Sequence, residues 1–130
     1  MRKAALIIPR DSKGLVLLQQ KTYDAPNFPG NWNLFGGSVE EGESMEEAVV
    51  REYKEELARD FFEDDGEYFG TYGDESVERA IFLSRIKDFN EPFTLYEGRG
   101  LGYFNEDEIN HISMPPHIRA ILQDYFSKQK

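Results

Sequence analysis

The sequence predicts an α/β or α+β fold, a mixed β-sheet sandwiched between α-helices. Three observations carry that prediction. Short apolar runs bounded by turn residues recur along the chain, a capped helical segment begins at Ser44, and a second helical pattern follows Pro115 and Pro116.

Residues 4–8 and 15–19 are apolar and are separated by Pro9, Arg10, Asp11, Ser12, Lys13 and Gly14, which predicts a β-hairpin. Residues 22–31 hold Pro26, Pro29 and Gly30, so they read as a loop leading into a short strand at 32–35 that Gly36 and Gly37 then break. Good helix formers fill 44–57, where Ser44 as N-cap and Glu47 three residues on make a capping-box pattern. After a charged turn at 63–66, strands are predicted at 67–72 and 77–86, the second with Ala80 and Phe82 facing opposite to Ile81 and Leu83. Strand candidates at 93–96 and 101–104 flank a loop containing Gly98 and Gly100. Asn105 caps a short acidic turn at 106–110. The final helix runs from Pro115 or Pro116 to Phe126, with proline in the first turn. Ile118, Ile121, Leu122, Tyr125 and Phe126 recur at helical spacing, so one face of it packs on the sheet. No repeat or linker interrupts this order, and residues 1–130 are expected to form one domain.

At 39% hydrophobic and 31% charged residues, the composition is that of a soluble globular protein. A net charge of −10 argues against a duplex nucleic-acid partner, because phosphate neutralisation needs clustered Lys and Arg. The chain lacks cysteine, which excludes disulfides, thiolate metal sites and cysteine nucleophiles. The apolar run after Met1 ends at Pro9, too short for a signal peptide, and no run approaches the roughly 20 residues that cross a bilayer. A cytoplasmic protein without a membrane partner is the expectation.

Between Gly36 and Glu56 lie eight glutamates and two cations, Arg51 and Lys54. At roughly 100° per residue, Met45, Val49, Tyr53 and Leu57 share the core face of the helix. Glu52, Glu55 and Glu56 fall on an arc of about 100° bordering that face rather than opposite it. Crowded carboxylates at the edge of a core repel one another and lose hydration. Two readings follow from periodicity: a solvated acidic face stabilised by i,i+4 pairs, or a site for a hard cation such as Mg²⁺ or Mn²⁺ held by oxygen ligands.

The run GGSVEEGESMEEAVVREYKEELAR resembles the Nudix hydrolase signature Gx5Ex7REUxEExGU, in which U is apolar. Gly37, Glu43, Arg51, Glu52, Glu55 and Glu56 fall on its fixed positions, with Tyr53 at the first U. Two positions depart. Ala58 and Arg59 stand where the signature has glycine and an apolar residue, so the helix is expected to end differently, running on toward Asp60. Phe35 stands in place of a common proline.

The resemblance implies a Nudix-like sheet between helices and Mg²⁺-dependent hydrolysis of a nucleoside diphosphate linked to another group X, with Mn²⁺ as a substitute metal. It implies that Glu52, Glu55 and Glu56 ligate metal or position water, that the Gly36 carbonyl is a further ligand, that Arg51 orients a glutamate, and that Glu43 braces the loop. YEGRG resembles a loop that supplies another carboxylate, so Glu97 is a candidate ligand or base beside Glu52 and Glu55; an ordinary turn residue is the other reading of it. His117 is left outside the catalytic set, as a surface or capping group. Trp32 and Phe35 could stack a base but suit a core equally. The implied partner is a small-molecule nucleotide, with a homodimer left open. The MutT-type branch suits the short chain, yet its oxidised-guanine enzymes use an asparagine near the start of the last helix, where MPPHIR has none. Nucleoside triphosphates, nucleotide sugars, ADP-ribose and dinucleoside polyphosphates all stay open as X. A catalytically silent nucleotide sensor on the same fold is the alternative.

Overall fold

The computed structural model describes residues 1–87 and 100–130. Among these, seven strands form one mixed sheet: β1 (Arg2–Arg10), β2 (Val16–Gln20), β3 (Trp32–Asn33), β4 (Phe35–Ser38), β5 (Glu67–Gly73), β6 (Val77–Arg85) and β7 (Gly100–Phe104). Two helices, α1 (Met45–Leu57) and α2 (Pro116–Lys128), and a 3₁₀ turn at Glu108–His111 complete the described elements. The strand order is β3-β2-β1-β6-β5, with β4 also on β1 and β7 also on β2. All pairs are antiparallel except β1 with β6, which run parallel in register from Arg2 opposite Val77 to Arg10 opposite Arg85.

The parallel pair is covered on both faces, which is why its sequence reads as nearly continuous apolar residues. Ala5, Ile7, Ala80 and Phe82 face one layer with Leu17, Phe35 and the α1 residues Ala48, Val49, Tyr53 and Leu57. Ile8, Ile81 and Leu83 face the other, with Val16, Leu18 and the α2 residues Ile118, Ile121, Leu122 and Tyr125. The two helices thus lie on opposite sides of the sheet, as the sequence predicts, and Phe35 belongs to the core. The predicted strand at 93–96 and Glu97 lie outside the described residues.

Two expectations are corrected. Gly36 and Gly37 do not break a strand; they lie within β4, paired with Leu6 and Ala5 of β1. A glycine is required at 36, where φ is +119° and a Cβ would lie 2.1 Å from the Ala5 carbonyl oxygen. Nor does α1 run on toward Asp60. It ends at Leu57, and Ala58 takes the left-handed conformation usual for glycine (φ 57°, ψ 33°), donating its N–H to the Lys54 carbonyl at 2.9 Å. The segment after this cap is tied down by the buried Asp64, which accepts the Tyr53 hydroxyl at 2.5 Å, Arg59 Nη2 at 2.8 Å, and Arg59 Nε. Burial raises the Asp64 pKa, but the hydrogen bonds from Arg59 and Tyr53 outweigh it and hold the carboxyl below its ordinary value. Burial and the bond to Asp64 push the Tyr53 phenol up. Tertiary contacts thereby hold an alanine where local preference asks for glycine.

Candidate active site

The start of α1 forms as the sequence dictates. Ser44 Oγ accepts the Glu47 N–H at 3.0 Å and Glu47 Oε1 accepts the Ser44 N–H at 2.9 Å, a complete capping box. This fixes the phase at which Arg51, Glu52, Glu55 and Glu56 leave the helix. Glu56 is buried, 2% exposed. Its Oε2 accepts the Gly36 N–H at 2.6 Å and its Oε1 faces Gln19 Nε2 at 3.5 Å. The Glu52 side chain is 13% exposed and that of Glu55 is 58% exposed. The three carboxylates therefore grade from core to solvent around one edge of the helix.

Arg51 is the hub of the charge network. Glu43 takes Nε at 2.8 Å and Nη2 at 2.9 Å in a two-pronged pair, and the Ser38 carbonyl accepts Nη2 at 3.2 Å. The remaining nitrogen, Nη1, meets Glu52 Oε1 at 2.9 Å and Glu55 Oε2 at 3.4 Å. The bond to Arg51, helped by the Glu40–Glu43 backbone contact, lowers the Glu43 pKa from 4.5 to about 2, and Glu43 in turn raises that of Arg51. Glu43 also accepts the Glu40 N–H at 3.0 Å, joining the loop to the helix. Gly37 sits against Glu52: a Cβ there would lie 2.8 Å from Glu52 Oε1. Among the described residues, no three carboxylates or imidazoles converge closely enough to enclose a metal ion. Gly36 is bonded to Glu56, Gly37 abuts Glu52, and Glu52 shares Arg51 Nη1 with Glu55, whereas Glu97 lies outside the described residues.

On the opposite face of β4 opens a cavity of about 450 Å³. Its wall includes Gly36, Gly37 and Asn33, three cations (Arg2, Lys21 and Arg79), and Phe28 facing His117 at the start of α2. The Phe28 and His117 rings meet edge to face, centroids 6.2 Å apart. Burial, with the nearby Arg79 charge, lowers the His117 pKa below its ordinary 6.5. Phe28 has φ 50° and is held in its loop by the Asn31 N–H, which donates to its carbonyl at 3.2 Å. Sequence reasoning left His117 as a surface group and did not single out Arg2, Lys21, Phe28 or Arg79. Arg2 and Arg79 come together only because β1 and β6 pair in parallel, with Arg2 opposite Val77 and Ala4 opposite Arg79. No local signal marks that pairing.

The chain thus has a mixed sheet between helices, with a glutamate-rich helix edge on one face and a cation-lined cavity on the other. The NUDIX domain family matches residues 1–125, and the chain belongs to that family. It is 35% identical to the nucleoside triphosphatase NudI of Enterobacter sp. (strain 638) over 112 residues, 72% of this chain and 79% of that protein. It is 45% identical to NudI of Escherichia coli O139:H28 over 58 residues, a stretch covering 44% of this chain and only 41% of that relative. In fold it is similar to the MutT protein from Methanosarcina mazei Go1, with a TM-score of 0.77 at 20% identity over 99% of this chain and 95% of that one. The chain is thus a Nudix-type nucleotide pyrophosphohydrolase, acting on nucleoside diphosphates linked to another group, in a family that generally uses divalent metals. Among the described residues, no helix is long and apolar enough to cross a membrane.

Proposed function

We propose that this protein hydrolyses nucleoside triphosphates with Mg²⁺, Mn²⁺ serving as a substitute, to give a nucleotide and pyrophosphate. The observation that carries the reading is that Gly36 and Gly37 line the cavity and also touch Glu56 and Glu52. A nucleotide in the cavity therefore lies against the backbone of the two residues that touch the carboxylates, and its phosphates reach them past that backbone with no β4 side chain in the way. Nucleoside triphosphate is favoured over other forms of X because the Enterobacter relative bears the name nucleoside triphosphatase.

The donor set suits a hard divalent cation, since every candidate ligand is an oxygen. Glu52, Glu55, Glu56 and the Gly36 carbonyl would hold it. Arg51 keeps Glu52 and Glu55 only through Nη1, while Glu43 occupies Nε, so those carboxylates can turn to a cation without releasing the arginine. Bound there, such a cation would screen the diphosphate charge and make a water more acidic. Arg2, Lys21 and Arg79 balance the phosphate charge from the cavity side. Water forms the new O–P bond as the bridging P–O bond breaks, and Glu52 or Glu55 accepts the water proton, with Glu97 the alternative base. Arg51 orients Glu52. A nucleotide substrate accords with a cytoplasmic location, and residues 1–130 act as one domain.

The test is a panel of nucleoside triphosphates, nucleotide sugars, ADP-ribose and dinucleoside polyphosphates with Mg²⁺, scored for released nucleotide, with Glu56→Gln alongside. Triphosphate turnover that disappears in Glu56→Gln is expected. Full activity in that variant overturns the metal assignment, and binding without product over long incubation favours a silent sensor.

A further inference from the structure

We infer that Gln19 is a positioning residue for the Glu56 carboxylate and thereby sets the affinity of the proposed metal site. The inference rests on the reading of Glu56 as a metal ligand.

Gln19 lies in β2 after Val16, Leu17 and Leu18, all fully buried, and is itself 1% exposed. An amide at such a position is costly to bury unless its hydrogen bonds are made. Alternation along β2 turns it, like Leu17, to the α1 side of the sheet. There Nε2 donates to the Leu34 carbonyl at 3.1 Å and approaches Glu56 Oε1 at 3.5 Å. Both neighbours are acceptors, so the amide cannot be turned over without setting its oxygen against two others. Its two protons are committed, and its Oε1 is buried without a hydrogen-bond partner among the described residues. A strand needs none of this for packing; an apolar side chain of the same length would carry no orphaned oxygen.

The geometry gives that arrangement a use. The Gly36 N–H donates to one oxygen of Glu56 at 2.6 Å and Gln19 Nε2 approaches the other at 3.5 Å, so a neutral donor stands at each oxygen and biases the carboxylate plane. A cation would compete with a guanidinium for such an oxygen far more than with an amide, so a neutral donor orients the carboxylate without opposing a metal. The same amide grips the Leu34 carbonyl, two residues before Gly36. One side chain therefore sets the spacing between the Glu56 carboxylate and the β4 backbone proposed to supply the other ligand.

The experiment measures Mn²⁺ binding to the metal-free protein by electron paramagnetic resonance, together with metal-free thermal stability, for wild type, Gln19→Met, Gln19→Asn and Glu56→Gln. Gln19→Met keeps the volume and removes both the donor and the orphaned oxygen. Gln19→Asn keeps the amide but withdraws it by one methylene. Each is expected to weaken Mn²⁺ about 10- to 100-fold, the range for removing an outer partner of a ligand. Met is expected to leave the metal-free melting temperature close to wild type, and the lost turnover should return as Mg²⁺ is raised. Unchanged Mn²⁺ affinity in both Gln19 variants, with Glu56→Gln weakened, overturns the role of Gln19 and leaves the metal site standing. Unchanged affinity in Glu56→Gln overturns the metal reading itself. Should Gln19→Met not fold, the Asn variant decides by the same measurement.

Discussion

Arg51 and Glu43 meet through two hydrogen bonds, 2.8 and 2.9 Å long, across a loop-to-helix junction eight residues apart in sequence. The pair leaves Nη1 of Arg51 to Glu52 and Glu55, so a loop glutamate determines how the helix glutamates are neutralised.

The pair predicts an acid-sensitive stability. Glu43 titrates near 4.5 when unfolded and at about 2 when folded. Its depressed pKa contributes stability that is complete above 4.5 and is lost as pH falls toward 2. Asp64, also held below its ordinary value, contributes in the same sense, its share being lost as pH falls through its lowered pKa. Urea unfolding of the metal-free protein across pH 2 to 5 should show a slope that is shallower in Glu43→Gln, because the variant has no proton to take up at that position.

Ala58 predicts a gain. A left-handed alanine costs about 1–2 kcal/mol and the added freedom of an unfolded glycine returns part of that, so Ala58→Gly should stabilise the protein by roughly 0.5–1 kcal/mol. The melting temperature should rise by about 2–5 °C. No rise would mean that the Arg59–Asp64–Tyr53 ties already relieve the strain.

The two glycines of β4 should respond differently to alanine. At Gly36 the positive φ and the 2.1 Å approach of a backbone oxygen leave no room, and Gly36→Ala should cost more than about 2 kcal/mol, read by denaturation. At Gly37 the obstacle is the flexible end of Glu52 at 2.8 Å. Gly37→Ala should fold normally while displacing that carboxylate, and kcat should drop by about 100-fold, as for an ångström-scale misplacement.

His117 should titrate below 6.5 by NMR, because burial and Arg79 both disfavour its charged form. Arg79→Gln should move the midpoint upward. On this account folding is favoured fully above 6.5, and the contribution is lost as pH falls through the lowered pKa.

The helix glutamates were legible in the sequence because 3.6-residue periodicity and a capping box fix azimuth and phase from local residues alone. They placed Ser44, Arg51, Glu52, Glu55 and Glu56 in a common frame before any fold was known, and the hairpin and the last helix followed from the same local rules. Three features were decided only by tertiary structure. Gly36 and Gly37 form a strand because β1 offers them an edge, against their local tendency to break one. Ala58 ends α1 as glycine would because Asp64 anchors the chain beyond it. Gln19 meets Glu56, and Arg2 meets Arg79 and His117 around one cavity, because strand pairing joins residues remote in sequence. The sequence by itself determined which residues carry charge and how α1 presents them. The sheet's mixed pairing decided what stands opposite, since long-range hydrogen-bond register leaves no periodic trace in either of the segments it joins.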